Sequence, residues 1–202
     1  MVRIEVFGAD SSRLTADSFP EIEALEDVGT EVGGADRTGA EPAFATDQVV
    51  LTPHAGELAR MLGKTSAEVE ADKLELVPEL AARWNVVLML KGSPSVIGAP
   101  DGRLFINASG DDALARGGSG DVLTGLIGGL LAQGMTALDA ALLGAYVHGL
   151  AGTRAAEGQS TRGVLVREVA AALGPVFEAL EKEASTVADL RERIWPVEGS
   201  SS

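Results

Sequence analysis

An α/β domain with a mainly parallel central sheet flanked by helices is what this sequence predicts, and three observations predict it. Short apolar runs alternate with helix-period segments from Gln48 onward. Val86–Leu90 is an unbroken apolar run, the pattern of a strand covered on both faces, as parallel sheets require. Hydrophobic residues make up 46% of the 202 residues and aromatics only 4%, so the composition supplies an aliphatic core and argues against disorder.

The elements follow in order. Val2, Ile4 and Val6 alternate with Arg3 and Glu5 and read as a strand. Gly8 to Thr46 is polar and reads mostly as loop, with a short helix suggested at Ile22–Val28. Val49–Leu51 is a short strand ending at Thr52-Pro53-His54, and Gly56–Leu62 gives a helix closed by Gly63. Thr65 and Glu68 form a capping box ahead of a helix over Ala67–Trp84, which Pro78 is expected to kink or divide. Ser95–Ala99 and Arg103–Asn107 flank Pro100-Asp101-Gly102 and read as a hairpin. Helices are expected over Ser119–Gln133, Thr136–Glu157 and Leu165–Glu183. Gly125 and Gly129, one turn apart, are expected to let a neighbouring element approach closely. The tail beyond Ser185 is expected to be mobile. Three regions result: a divergent, partly irregular segment at 1–47, a core at 48–184 and a tail at 185–202.

A net charge of −14 repels polyanions, so neither nucleic acid nor an anionic membrane surface is an expected partner. Any nucleotide site must then be built locally, from backbone N–H groups, a few basic residues and a metal. With no cysteine, disulfides and thiolate chemistry are excluded. Glu5 and Asp10 interrupt any apolar leader, and glycines break the uncharged run Val122–Leu138 before it reaches a comfortable membrane span. The expected setting is cytoplasmic.

Three stretches carry chemistry. Ala115–Gly134, ARGGSGDVLTGLIGGLLAQG, opens with Gly117, Gly118 and Gly120 around Ser119, and Asp121 follows at the start of an apolar helix. A glycine loop entering a helix offers free N–H groups and a favourable dipole to an anion. Asp121 reads either as a general base for a hydroxyl undergoing phosphoryl transfer or as a carboxylate complementing the dipole. His54, Gly56 and Glu57 follow the first core strand. The imidazole reads as a ligand contact or a hydrogen-bonded loop histidine, and Glu57 as a holder of metal-bound water or a first-turn acid. Lys91 and Gly92 follow the buried run, with hydroxyls at Ser93 and Ser95. Lys91 reads as a phosphate contact or as a lysine snorkelling to solvent. All three stretches sit at strand ends or helix starts, where ligands bind in such sheets.

Together, LTPHAGELARMLG, LMLKGSPSVI, LARGGSGDVLTGLIGGLLAQG and AALLGAYVHGLAG resemble the ADP/ATP-dependent NAD(P)H-hydrate dehydratases of the ribokinase-like superfamily, over about Val49 to Glu157. The resemblance implies a ribokinase-like core at 48–184. It also implies repair of hydrated NAD(P)H: the hydroxyl of the S epimer is phosphorylated from ADP or ATP, and elimination of phosphate restores the double bond. By motif, Asp121 matches the base that also contacts the hydrate. Gly118, Ser119 and Gly120, with Lys91, Gly92, Ser93, Pro94 and Ser95, match the nucleotide-binding segments, and His54 matches a dinucleotide contact. His54-x-x-Glu57 resembles the superfamily's Asn-x-x-Glu, in which the glutamate organises Mg2+ through water. His148 also fits the pattern, and a satisfied core histidine is the preferred reading.

Departures accompany the match. The family's opening strands have no counterpart before Gln48, so the chain reads as truncated or rearranged and lacking the usual N-terminal strands. Asp111 and Asp112 stand where the family more often has Asn-Pro. Two other functions remain open: a small-molecule kinase of the same superfamily, and a nucleotide-binding remnant without turnover. Exposed sheet edges and apolar helices lead to an expected homo-oligomer.

Overall fold

The computed structural model describes residues 48–183. The strand expected at Val2–Val6, the helix at Ile22–Val28 and the tail beyond Ser185 lie outside the described residues. The elements are β1 (Val50–Leu51), α1 (Ala55–Leu62), α2 (Ser66–Ala71), α3 (Lys73–Trp84), β2 (Val87–Leu90), β3 (Ser95–Gly98) and β4 (Leu104–Asn107). After a 3-10 turn at Asp112–Leu114 come α4 (Ser119–Ala132) and α5 (Ala137–Ala155). A second 3-10 turn at Thr161–Gly163 leads to α6 (Val166–Glu183).

The four strands lie in sequence order. β1 and β2 are parallel, whereas β2–β3 and β3–β4 are antiparallel, so the expectation of a mainly parallel sheet is corrected to a mixed one. The cause is local. Lys91–Ser95 closes as a tight turn, because the Ser95 hydroxyl donates to the Gly92 carbonyl (3.1 Å) and accepts from its N–H (3.3 Å). That turn folds β3 back along β2, and Asp101-Gly102 does the same between β3 and β4, with Gly102 at φ +83°.

Period-two alternation divides the core. Val87 and Met89 face α4 and α5, together with Ile97 and Phe105. Leu88 and Leu90 face α1–α3, meeting Leu58, Val69, Val77, Leu80 and Trp84. Each fully buried aliphatic side chain contributes about 1.5–3 kcal/mol of transfer free energy. A third cluster joins α5 to α6 through Val147, Ala151, Val169 and Val176. The result is helices on both faces of one sheet, with α6 packed outside α5.

Two expectations change in detail. The long helix divides at Asp72, which ends α2 and begins α3, and Pro78 lies within α3. Gly98 on β3 makes room there: a Cβ would stand 2.8 Å from the Val77 carbonyl oxygen and 3.1 Å from the Pro78 Cα. Gly125 and Gly129 have nothing within 4 Å of a built Cβ. The close approaches occur instead on α5, where Gly144 receives Ile127, Gly149 receives Ser109 and Gly152 receives Leu114. No helix among the described residues is long and apolar enough to cross a membrane.

Candidate functional site

The parallel pairing of β1 with β2 puts their carboxyl ends side by side. Beyond β1 the ladder continues: the Lys91 N–H donates to the Pro53 carbonyl (2.8 Å), and His54 and Lys91 form a parallel bridge. The stretch after β1 and the stretch after β2 therefore open onto one mouth.

At that mouth His54 is the N-cap of α1. Its Nδ1 accepts the Glu57 N–H (3.1 Å), and a Glu57 carboxylate oxygen accepts the His54 N–H (2.7 Å), a reciprocal capping box. Because Nδ1 is an acceptor, the neutral ring carries its proton on Nε2, which lies 3.5 Å from the other Glu57 oxygen. Both residues thus have structural work in addition to any ligand role. The imidazole remains exposed, and Gly56 lies beneath it, since a Cβ there would be 3.0 Å from the ring.

The Lys91 ammonium reaches 3.7 Å from Glu57 Oε2. Partial burial pushes the Glu57 carboxyl upward, but the His54 N–H and then the Lys91 charge outweigh it and hold the carboxyl below its ordinary value. From the other side α4 arrives. A Cβ on Gly120 would sit 3.2 Å from Lys91 Nζ, with no other contact within 4 Å. So the glycine loop meets Lys91 directly, and all three predicted stretches converge.

The loop's form follows from its sequence. Gly118 is the N-cap of α4 at φ +87°, a conformation that disfavours side chains, and it gives α4 no side-chain acceptor. The start of α4 therefore faces the mouth with its dipole uncapped by any side chain. Asp121 occupies the first turn, exposed, and its carboxylate forms no hydrogen bond or ion pair with another described residue. Ser119 is buried, its hydroxyl 3.2 Å from His148 Nε2. Gly92, Ser93 and Pro94 are exposed on the turn after Lys91, while the Ser95 hydroxyl is spent closing that turn.

One residue of consequence was missed by the sequence reading. Arg116, just before the glycines, directs its guanidinium at three backbone carbonyls, those of Ala113, Thr161 and Val164. It fastens the loop's entry to the turn before α6. The available signal was a lone arginine beside two glycines in a strongly acidic chain.

Among the described residues no group of three or more His, Asp or Glu is arranged to hold a metal ion. Glu57 stands singly, beside an ammonium and engaged by a backbone N–H. That donor set provides no protein cage. A single carboxylate suits only an ion whose other ligands come from a bound molecule or from water. The chemistry available at the mouth is anion binding by backbone N–H groups and a lysine, with a free carboxylate beside them.

A family model described as NAD(P)H-hydrate dehydratase matches residues 38–174. A bifunctional NAD(P)H-hydrate repair enzyme of Moorella thermoacetica is 46% identical over 139 residues, which is 69% of this chain and 26% of that protein. An ADP-dependent (S)-NAD(P)H-hydrate dehydratase of Neisseria meningitidis is 42% identical over 125 residues, 61% of this chain and 42% of that protein. Among solved structures, the ADP/ATP-dependent NAD(P)H-hydrate dehydratase of Bacillus subtilis, co-crystallized with ATP/Mg2+ and soaked with CoA, is similar at a TM-score of 0.65 and 35% identity. That similarity covers 69% of this chain and 53% of the Bacillus chain. The chain spans about a quarter of the bifunctional relative and about half of the solved dehydratase. Its α/β fold is ribokinase-like.

Proposed function

The chain belongs to the NAD(P)H-hydrate dehydratase family, and on that premise we propose that it serves the ADP- or ATP-dependent dehydration of the S epimer of hydrated NAD(P)H. The observation that carries the reading is the convergence at one mouth of Lys91, Glu57, His54 and the glycine loop, with Gly120 against the lysine ammonium.

In this reading the nucleotide phosphates lie over the start of α4. N–H groups of Gly118 and Gly120 and the Lys91 ammonium hold their charge, the Ser119 N–H being spent on the Arg116 carbonyl (3.3 Å), and the turn Gly92–Ser95 borders the nucleotide. Lys91 exchanges its partner, leaving the Glu57 carboxylate for phosphate. Mg2+, when bound, neutralises phosphate charge, and Glu57 holds it through water. The exposed Asp121 carboxylate takes the proton from the hydrate hydroxyl as that oxygen bonds to the terminal phosphorus of the nucleotide, whose anhydride P–O bond breaks so that AMP (from ADP) or ADP (from ATP) leaves with the bond's electrons. The phosphate then departs with the carbon–oxygen bond electrons, and loss of the neighbouring proton regenerates the ring double bond. The imidazole of His54 lines the same mouth and contacts the dinucleotide. The core taken for this work is 48–184, in a cytoplasmic and self-associating protein; sedimentation of the purified chain checks the association.

The test supplies ADP or ATP, Mg2+ and hydrated NADH and follows the return of reduced-nicotinamide absorbance, with Asp121→Asn as control. Return with the parent chain and not with the variant supports the reading. Phosphate transfer to other alcohols without that return favours a superfamily kinase, and nucleotide binding without any turnover favours a binding remnant.

A further inference from the structure

We propose that His148 is a positioning residue for the glycine loop, acting through Ser119. The nucleotide consequences rest on the function proposed above; the mechanical claim does not.

Four observations lead there. First, His148 on α5 is 7% exposed and Ser119 is 4% exposed, and their polar tips stand 3.2 Å apart. Losing the contact would leave the buried Ser119 hydroxyl without its partner, so the contact is favoured over its loss. Second, Ser119 is the first residue of α4, immediately before Gly120 and two before Asp121. Third, the loop's own ties lie at its entry: Arg116 holds three carbonyls and its own carbonyl accepts the Ser119 N–H (3.3 Å), whereas the N-cap of α4 is a glycine that contributes no side-chain bond. Fourth, the turn of α5 that carries His148 is itself tied to the end of β4. Asn107 Nδ2 donates to the Ala145 carbonyl (3.2 Å), and the Ser109 hydroxyl stands within hydrogen-bond reach of both Asn107 Oδ1 (2.9 Å) and the Tyr146 carbonyl (3.2 Å). Gly149 permits that seat, since a Cβ there would lie 2.0 Å from Ser109 Oγ.

A mechanical path therefore runs from the end of β4 through one turn of α5 to His148, and from its ring to Ser119 and the mouth. Burial lowers the basicity of His148, against the upward pull of the Ser119 backbone, and the net lowering favours the neutral ring in this contact. Arg116 holds the loop's entry from the opposite direction, so His148 governs the exit into the helix. The reading assigned to His148 from sequence, a satisfied core histidine, described its burial and left out what it holds.

The experiment compares His148→Leu, His148→Gln and Ser119→Ala with the parent chain by amide hydrogen exchange. Leucine removes the polar tip, whereas glutamine extends an amide to about the same reach. Expected is an acceleration of about tenfold or more at residues 117–122 in His148→Leu and Ser119→Ala, with β2 unchanged and His148→Gln close to the parent. ADP affinity should fall by a similar factor in the first two, and the double variant should be no weaker than either alone. Unchanged loop exchange in both His148→Leu and Ser119→Ala overturns the proposal, as does acceleration spread evenly over the core. A glutamine variant as fast as the leucine variant overturns it too. Should His148→Leu not fold, Ser119→Ala and His148→Gln carry the same comparison. If the parent binds no nucleotide yet the exchange pattern appears, the functional reading falls and the positioning role stands.

Discussion

Gly120→Ala should separate binding from stability, because the two are expected to move in opposite directions. The residue lies in the first turn of α4, and its φ is outside the left-handed region, so alanine fits the backbone. Alanine is better than glycine in a helix by up to about 1 kcal/mol, somewhat less in a first turn, so unfolding stability should hold or rise. The new methyl meets a single group, Lys91 Nζ at 3.2 Å, and a flexible lysine tip yields by a few tenths of an ångström at small cost. A phosphate cannot yield so easily. The methyl stands between the helix start and the ammonium, where a phosphate oxygen would need both. Losing one charge-assisted hydrogen bond costs about 1.5–3 kcal/mol, which weakens ADP binding by about 10- to 150-fold. Titration calorimetry with ADP and urea unfolding give the two readouts. Parent-like affinity in Gly120→Ala would refute the close-approach argument. A loss of stability above about 1 kcal/mol would show that Gly120 serves packing instead.

The other predictions concern separate residues. Lys91→Met should reduce ADP affinity and, by removing one of the influences that lower it, let the Glu57 carboxyl titrate higher, as carbon-detected NMR titration would read. His54→Ala should destabilise α1 by about 0.5–2 kcal/mol, while His54→Asn keeps the cap and loses the ring. The asparagine variant should therefore raise the KM for the hydrate at nearly normal stability. Gly149→Ala drives a methyl into Ser109 and should cost about 1–3 kcal/mol or more in urea unfolding. For His148 the folded state holds the imidazole below the ordinary value of 6.5, so below that pH the unfolded chain binds the extra proton. Its contribution is complete above 6.5 and declines as pH falls, so the parent should lose stability on acidification faster than His148→Gln.

Much of the fold was legible because its signals are local. The Thr65–Glu68 capping box, the left-handed Gly63 after α1 and the Asp101-Gly102 turn each depend on a few neighbouring residues. The mixed sheet was not legible, because Lys91–Ser95 was read as a ligand loop, and its hairpin geometry depends on a serine bonding back to Gly92. Nor were the glycines of closest approach. Spacing drew attention to Gly125 and Gly129, yet what matters is which face of a helix meets a neighbour, and α5 meets its neighbours at Gly144, Gly149 and Gly152. At the site, His54 and Glu57 were legible as a pair. That one arrangement makes them a helix cap and also sets them beside Lys91 depends on the strand ladder, which no local pattern reveals.

The pairs Val50–Val87, Leu51–Leu88 and His54–Lys91 share one sequence offset, although Thr52 and Pro53 intervene. The spacing across the mouth is therefore metered by the backbone, as rungs fix the gap between two rails, and owes little to side-chain choice. Replacing either residue alters what the mouth recognises without changing its width. Inserting a single residue between Leu51 and His54, however conservative chemically, would shear the rails and dismantle the mouth while the interior stayed packed.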